Sequence, residues 1–159
     1  MIKALNNHNV LVTGGGSGIG LACAKAFAAD GANVSIMGRS QDKLIRAMEE
    51  IQAADENVTV QYFVGDVASE EDVAAAVELA SLNQTLDIVV ANAGTGGLSP
   101  IMATSGSNWD EIMRTNLNGT FYTIKHASRK MSLSGGVAIC AISSIAGIRT
   151  HRFMGPYCV

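Results

Sequence analysis

A run of glycines, Thr13-Gly14-Gly15-Gly16-Ser17-Gly18-Ile19-Gly20, comes directly after the apolar segment Val10-Leu11-Val12. It opens a stretch in which Ile19, Ala22, Cys23, Ala26 and Phe27 recur at helical spacing. A strand that turns through glycines into a helix aims unpaired backbone N–H groups, and the positive end of the helix dipole, at one spot. Such a spot suits phosphate. Glycine is required where a Cβ would forbid the backbone angles or hold a pyrophosphate at a distance. The spacing here is Gly14-x-x-x-Gly18-x-Gly20 rather than G-x-G-x-x-G. With a strand before it and a helix after it, the turn is read as binding a phosphate or dinucleotide rather than as a bare connection.

Composition narrows the class. The 159 residues are 48% hydrophobic and 16% charged, which argues against disorder, and the length predicts one domain, which the glycine turn marks as dinucleotide-binding over residues 1–159. A net charge of −3 gives no footprint for nucleic acid or an anionic membrane. No apolar run reaches the length of a membrane span, and Met1 to Asn9 contains no secretory h-region. Cys23, Cys140 and Cys158 are odd in number and widely spaced, as expected of reduced thiols in a cytoplasmic protein. The three histidines, His8, His126 and His151, show no metal-ligand spacing.

Along the chain, Gly31 is placed as a helix C-cap, Val34–Met37 reads as a short strand, and Ser40 as the cap of a helix with Leu44, Ala47, Met48 and Ile51 on its apolar face. A turn at Asp55-Glu56-Asn57 leads into a third strand, Val58–Val64. Ser69-Glu70-Glu71-Asp72 resembles a capping box. Leu86–Ala91 is a fourth strand, and one helical pattern runs from Asn108 to about Met131. On it Trp109, Ile112, Met113, Asn116 and Leu117 share a face, and Gly119 predicts close packing or local distortion. Gly135-Gly136 breaks that helix before a fifth strand, Val137–Ser143. Strands alternating with helices predict an α/β fold, a parallel sheet covered on both faces. Ligands then sit beyond the carboxyl ends of the strands.

Those ends carry the candidates. After the second strand, Gly38-Arg39-Ser40 offers no acid for a ribose 2′-hydroxyl, whereas Arg39 offers a planar cation for a 2′-phosphate. NADP(H) is favoured over NAD(H). Asp66, in Gly65-Asp66-Val67, suits either an adenine amino group or a turn cap. Asn92 and Gly94, after the fourth strand, suit close backbone approach to a ribose or nicotinamide, and the Asn92 amide can tie neighbouring loops together. Asn116 is the polar member of an apolar stripe, so its amide either bonds a neighbouring backbone or orders a water. Ser144 and Tyr157 lie thirteen positions apart and meet only if the loop between them folds back.

Taken together, Thr13-Gly14-x-x-x-Gly18-Ile19-Gly20, Gly65-Asp66-Val67, Ala91-Asn92-Ala93-Gly94, Asn116-Leu117-x-Gly119 and the Ser144–Tyr157 spacing resemble the short-chain dehydrogenase/reductase family across the whole chain. The resemblance implies a Rossmann-type doubly wound sheet of order 3-2-1-4-5. It also implies an NAD(P)-dependent oxidoreductase moving a hydride between nicotinamide and a carbonyl or alcohol carbon. By position, Tyr157 would be the general acid or base, Ser144 would hold the substrate oxygen, and Asn116 would position a relay water. Gly14, Ser17, Gly18, Ile19, Arg39, Asp66, Val67, Asn92 and Gly94 would line the cofactor site. The partner would be a small carbonyl or alcohol substrate, and the full-length protein a homodimer or homotetramer.

One feature departs from the pattern. The family's lysine lies four residues after the tyrosine, and the sequence extends two residues past Tyr157. A free tyrosine is ionised in only about one molecule in a thousand at pH 7. The resemblance therefore implies the N-terminal part of a longer reductase, catalytically silent or nearly so as it stands, and prone to self-association through an uncovered fifth strand. The alternative is a non-catalytic NADP-binding module or pseudoenzyme, against which Ser144 and Tyr157 argue. His151 and Arg152, between those two residues, are candidates for contacting an anionic substrate.

Overall fold

A computed structural model of the chain describes residues 4–53, 56–81 and 85–159. Five strands, β1 (Asn9–Thr13), β2 (Asn33–Gly38), β3 (Val60–Val64), β4 (Ile88–Ala91) and β5 (Ala138–Ala141), form one parallel sheet in the order β3-β2-β1-β4-β5. The helices are α1 (Gly18–Ala29), α2 (Gln41–Gln52), α3 (Glu70–Ala80), α4 (Gly106–Ile112) and α5 (Gly119–Ser134). This is the Rossmann-type α/β architecture, with strand order as expected.

Period-2 alternation divides the core between the two faces of the sheet. Val10, Val12, Val34, Ile36, Ile88 and Val90 pack with Ala24 and Ala28 of α1 and Leu44, Ala47 and Ile51 of α2. Leu11, Met37 and Val89 point the other way, onto Val73, Ala76 and Val77 of α3 and Ala127 and Met131 of α5. Central strands buried on both sides must be apolar at nearly every position, which is why Val10-Leu11-Val12 of β1 and the whole of β4 read as unbroken hydrophobic runs. At the amino end of the sheet, Asn9 N–H donates to Asp87 Oδ2 at 2.7 Å, and Asn33 Nδ2 donates to Asn9 Oδ1 at 3.0 Å.

Several local expectations change. The buried residues of α1 are Gly20, Ala24 and Ala28, while Ile19 is 63% exposed and Ala22 and Ala26 are exposed. The helix approaches the sheet on its smallest side chains, so counting apolar residues chose the wrong face. β3, β4 and β5 are shorter than predicted at Val58–Val64, Leu86–Ala91 and Val137–Ser143, although Thr59 still accepts from Val34 N–H and Asp87 N–H still donates to Asn9. Glu56 and Asn57 lie in a turn, and residue 55 is outside the described residues.

Asp30 ends α1, and Gly31 comes next at φ +92°. Ser40 occupies the α2 N-cap position without a side-chain hydrogen bond. Ser69 does cap α3, accepting from Asp72 N–H at 3.2 Å, but the reciprocal half of the capping box is absent. The Asp72 carboxylate instead accepts from Asp66 N–H at 2.8 Å.

The predicted single helix over 108–131 begins at Gly106, ends at Ser134 and is interrupted by a π turn, Met113–Asn118. Its i→i+5 bonding rotates α5 relative to α4. Ile112 and Thr115 are buried as a result, and Leu117, expected on the same face, is 63% exposed. Gly119 is buried against Val67, and a Cβ there would sit 2.8 Å from Val67 Cγ2. Distortion and close packing both occur.

Candidate active site

Four strand ends converge. The segments after β1, β2, β3 and β4 line one cleft of about 390 Å³ at the carboxyl edge of the sheet. Gly14, Ser17, Ile19, Arg39, Asp66, Val67, Asn92 and Gly94 all belong to its lining. Gly18, at φ +55°, begins α1 beside the cleft without lining it.

Hydrogen bonds stitch these segments to one another. Gly14 N–H donates to Met37 carbonyl at 2.8 Å, and Gly65 N–H donates to Gly38 carbonyl at 3.0 Å. Asn92 Nδ2 donates to Thr13 carbonyl at 2.9 Å, tying the loop after β4 to the glycine turn. Gly14 sits at φ +68°, and a Cβ there would lie 2.9 Å from that same Asn92 nitrogen. Two independent constraints thus select glycine at 14. Asp66 is a turn residue in its own right: its Oδ1 accepts from Ala68 N–H at 3.0 Å and its carbonyl from Ser69 N–H at 2.9 Å.

Four of the helix N-termini fall into two pairs, α5 continuing directly from the π turn. Ser69 and Ser105 cap α3 and α4 with their side chains. Ser17 and Ser40, N-caps of α1 and α2, make no such bond, and both line the cleft. First-turn N–H groups at those two helices therefore lack a side-chain partner where the cleft opens. Arg39 and Lys43 bring two cations to the same lining, and neither forms an ion pair among the described residues. Asp66 contributes the lining's one carboxylate.

A second cavity, of about 790 Å³, adjoins the first and shares Ile19, Asn92, Ala93 and Gly94 with it. Asn116, Ser144 and Tyr157 all line it, so the loop between Ser144 and Tyr157 does fold back. The Asn116 amide bonds a neighbouring backbone: Oδ1 accepts from Thr95 N–H and Nδ2 donates to Thr95 carbonyl, both at 2.8 Å. Ser144 Oγ accepts from Ala146 N–H at 3.1 Å, capping a 3₁₀ turn, Ile145–Gly147. Tyr157 lies in a second 3₁₀ turn, Gly155–Cys158, with its ring against Gly96. Ser99 clasps that region, donating from its N–H to Phe153 carbonyl at 2.5 Å and accepting from Gly155 N–H at 3.1 Å. His151 and Arg152, the candidates for an anionic substrate, are exposed and stand outside the lining of this cavity.

Residues that sequence reasoning passed over include Lys43, Gly96 and Ser99, and Thr13 entered it only as the head of the glycine run. Lys43 was within reach, because it lies four positions after Arg39 in the first turn of the next helix. Gly96 and Ser99 left no signal, since their roles come from contacts with a segment more than fifty residues away.

The glycine turn after β1 and the adjoining cavity lined by Ser144 and Tyr157 lie at the carboxyl edge of a doubly wound parallel sheet, where ligands bind in this architecture. The chain belongs to the short-chain dehydrogenase family, which matches residues 8–159. It is 37% identical to oxidoreductase asL5 of Sarocladium schorii over 92% of this chain and 57% of that one. The L-sorbose reductase of Gluconobacter frateurii, solved with NADPH and L-sorbose, superposes with a TM-score of 0.90 at 30% identity, over 99% of this chain and 60% of that one. An NAD+-bound xylitol dehydrogenase superposes at 0.91 and 28% identity, over 98% and 60%. The chain thus spans somewhat more than half the length of these relatives. No helix among the described residues is long and apolar enough to cross a membrane.

Proposed function

We propose that residues 1–159 form the dinucleotide-binding domain of an NADP-dependent carbonyl reductase or alcohol dehydrogenase. The observation that carries the reading is the continuity of the two cavities through Ile19, Asn92, Ala93 and Gly94. A ligand laid along the glycine turn would reach Ser144 and Tyr157 with its far end.

In this reading Gly14, lacking a Cβ, lets the turn approach the pyrophosphate, and the backbone N–H groups of Ser17, Gly18 and Ile19 cradle it. Arg39, with Lys43 beside it, takes the 2′-phosphate as a charge-assisted pair. Asp66 and Val67 border the adenine, and Asn92 and Gly94 border the inner ribose and nicotinamide. When bound, the cofactor supplies a hydride to the carbonyl carbon. Tyr157 delivers the matching proton to the oxygen, giving the alcohol, and accepts it in the reverse direction. Because Ser144 Oγ already accepts from Ala146 N–H, its hydroxyl hydrogen is left to donate to the substrate oxygen. One N–H and one lone pair of the Asn116 amide remain beyond Thr95, enough to order a relay water.

Among the described residues no lysine lines the cavity beside Tyr157, and residues 1–159 by themselves are proposed to bind cofactor with little or no turnover. Three free cysteines fit a cytoplasmic setting. Exposed Leu117, Phe121 and Ile124 on the outer side of the π turn and α5 fit pairing into a dimer or tetramer.

Fluorescence titration with NADPH and NADH tests the cofactor assignment. NADPH is expected to bind at least about tenfold tighter. Equal affinities would remove the NADP preference, and absence of binding to either would remove the function. NADPH binding, together with turnover when a carbonyl substrate is added, would show that this chain needs no lysine.

A further inference from the structure

Three hydrogen bonds close a ring around the turn after β3. Asp66 N–H donates to Asp72 Oδ2 at 2.8 Å, Ser69 N–H donates to Asp66 carbonyl at 2.9 Å, and Asp72 N–H donates to Ser69 Oγ at 3.2 Å. Ala68 N–H donates to Asp66 Oδ1 at 3.0 Å, so Oδ2 is the one polar atom of Asp66 without a partner among the described residues. Asp66 lines the cleft, whereas Ser69 and Asp72 do not. Gly65 makes room for this arrangement: a Cβ there would lie 3.0 Å from Asp72 Cβ and 2.6 Å from Phe63 Cε1. Asp72, in the first turn of α3, thus reaches the strand end through the space that Gly65 leaves. A carboxylate accepting from a backbone N–H makes a charge-assisted bond that orients the peptide plane. Without it the Gly65–Asp66 peptide rotates easily, since glycine adds no steric restraint of its own. We infer that Asp72 is a positioning residue for the base end of the dinucleotide. It does not touch the ligand; it fixes the direction in which Asp66 Oδ2 faces, and so sets the preference for a base carrying an amino group over one carrying an oxo group. The inference rests on the cofactor reading above, in which Asp66 borders the adenine, and adds the residue that aims it.

NADPH and its hypoxanthine analogue, in which an oxo group replaces the adenine amino group, are titrated into the chain and into Asp72→Ala and Asp72→Asn. Binding is followed by nicotinamide fluorescence. The unaltered chain is expected to bind NADPH at least about tenfold tighter than the analogue. Asp72→Ala is expected to narrow that preference to about threefold or less. Asp72→Asn, whose amide oxygen still accepts from Asp66 N–H, is expected to keep it within about twofold. A purely structural role would weaken both ligands in proportion, and an unchanged ratio in Asp72→Ala would overturn the inference. So would absence of preference in the unaltered chain, or an asparagine variant that behaves like the alanine one. If Asp72→Ala does not fold, Asp72→Glu, which moves the carboxylate by one methylene, takes its place with the same expectation, and an unchanged ratio there counts equally against it. No binding of NADPH to the unaltered chain would remove the cofactor reading together with the inference, whereas binding with an unchanged ratio removes the inference alone.

Discussion

Asn92 grips Thr13 from two directions: its amide donates to the Thr13 carbonyl at 2.9 Å, and its backbone N–H donates to Thr13 Oγ1 at 3.0 Å. Ala93 N–H adds a third bond to the same hydroxyl at 3.1 Å. The glycine turn and the loop after β4 are therefore one hydrogen-bonded unit, although nearly eighty residues separate them in sequence.

Thr13→Val keeps the shape of a side chain that is 1% exposed and removes the oxygen that accepts those two N–H groups. Two part-buried donors that lose their partner cost roughly 2–3 kcal/mol together, the low end of the range for unsatisfied groups. Urea unfolding should show that loss, together with weaker NADPH binding. A change below about 0.5 kcal/mol would mean that water replaces the hydroxyl.

Gly96→Ala places a methyl group 3.1 Å from Tyr157 Cδ2 and 3.2 Å from Cε2, so the ring must move by a few tenths of an ångström. NMR of 13C-tyrosine-labelled chain, assigned with Tyr157→Phe, is expected to show the Tyr157 resonances shifted and those of Tyr62 and Tyr122 in place. NADPH affinity should stay within about twofold, because Gly96 does not line the cofactor cleft. Unmoved Tyr157 resonances would show that the backbone, not the ring, gives way.

Arg39→Ala removes the guanidinium proposed to meet the 2′-phosphate. NADPH affinity should fall about tenfold or more, with NADH affinity nearly constant. A parallel loss for both cofactors would assign Arg39 to the shape of the loop instead.

Glu70 gives one helix contact a pH dependence. Hydrogen bonds from Lys125 at 2.6 Å and His126 at 3.0 Å hold its carboxyl below the usual 4.5. A depressed carboxylate stabilises the fold above its unfolded value, and the contribution is lost as pH falls through the folded one. Amide exchange on the facing side of α5 should therefore accelerate below about pH 4.5. Glu70→Gln should abolish that acceleration, and an unchanged profile in the variant would assign the effect to other groups.

The alternation of strands and helices and the placing of candidate residues at the strand ends were readable from local signals, namely apolar runs, glycines and the residues just past each strand, whereas the sheet order came with the family resemblance. Asn116 and Gly119 were singled out for good reason, a polar residue and a glycine inside an apolar helix. What the sequence withheld was the π turn itself, since an extra residue per turn leaves composition unchanged and shows only in which neighbours become buried, as Leu117 illustrates. The buried face of α1 was missed for a related reason. Hydrophobicity favoured Ile19, which is exposed, and Phe27, which flanks the core, whereas the fully buried positions of α1 are Gly20, Ala24 and Ala28. Contacts such as Gly96 on Tyr157 belong to tertiary structure alone.

Ser17 and Ser40 leave two helix starts without a side-chain cap. A helix start left in that condition gains stability from any anion that arrives, by the mass-action relation between occupancy and folding. The melting temperature of this chain should then track the concentration of the molecule it binds, rising by an amount set by about 2.7 kcal/mol at a hundredfold excess over Kd. The two bare serines make folding itself a gauge of how well the cleft is filled.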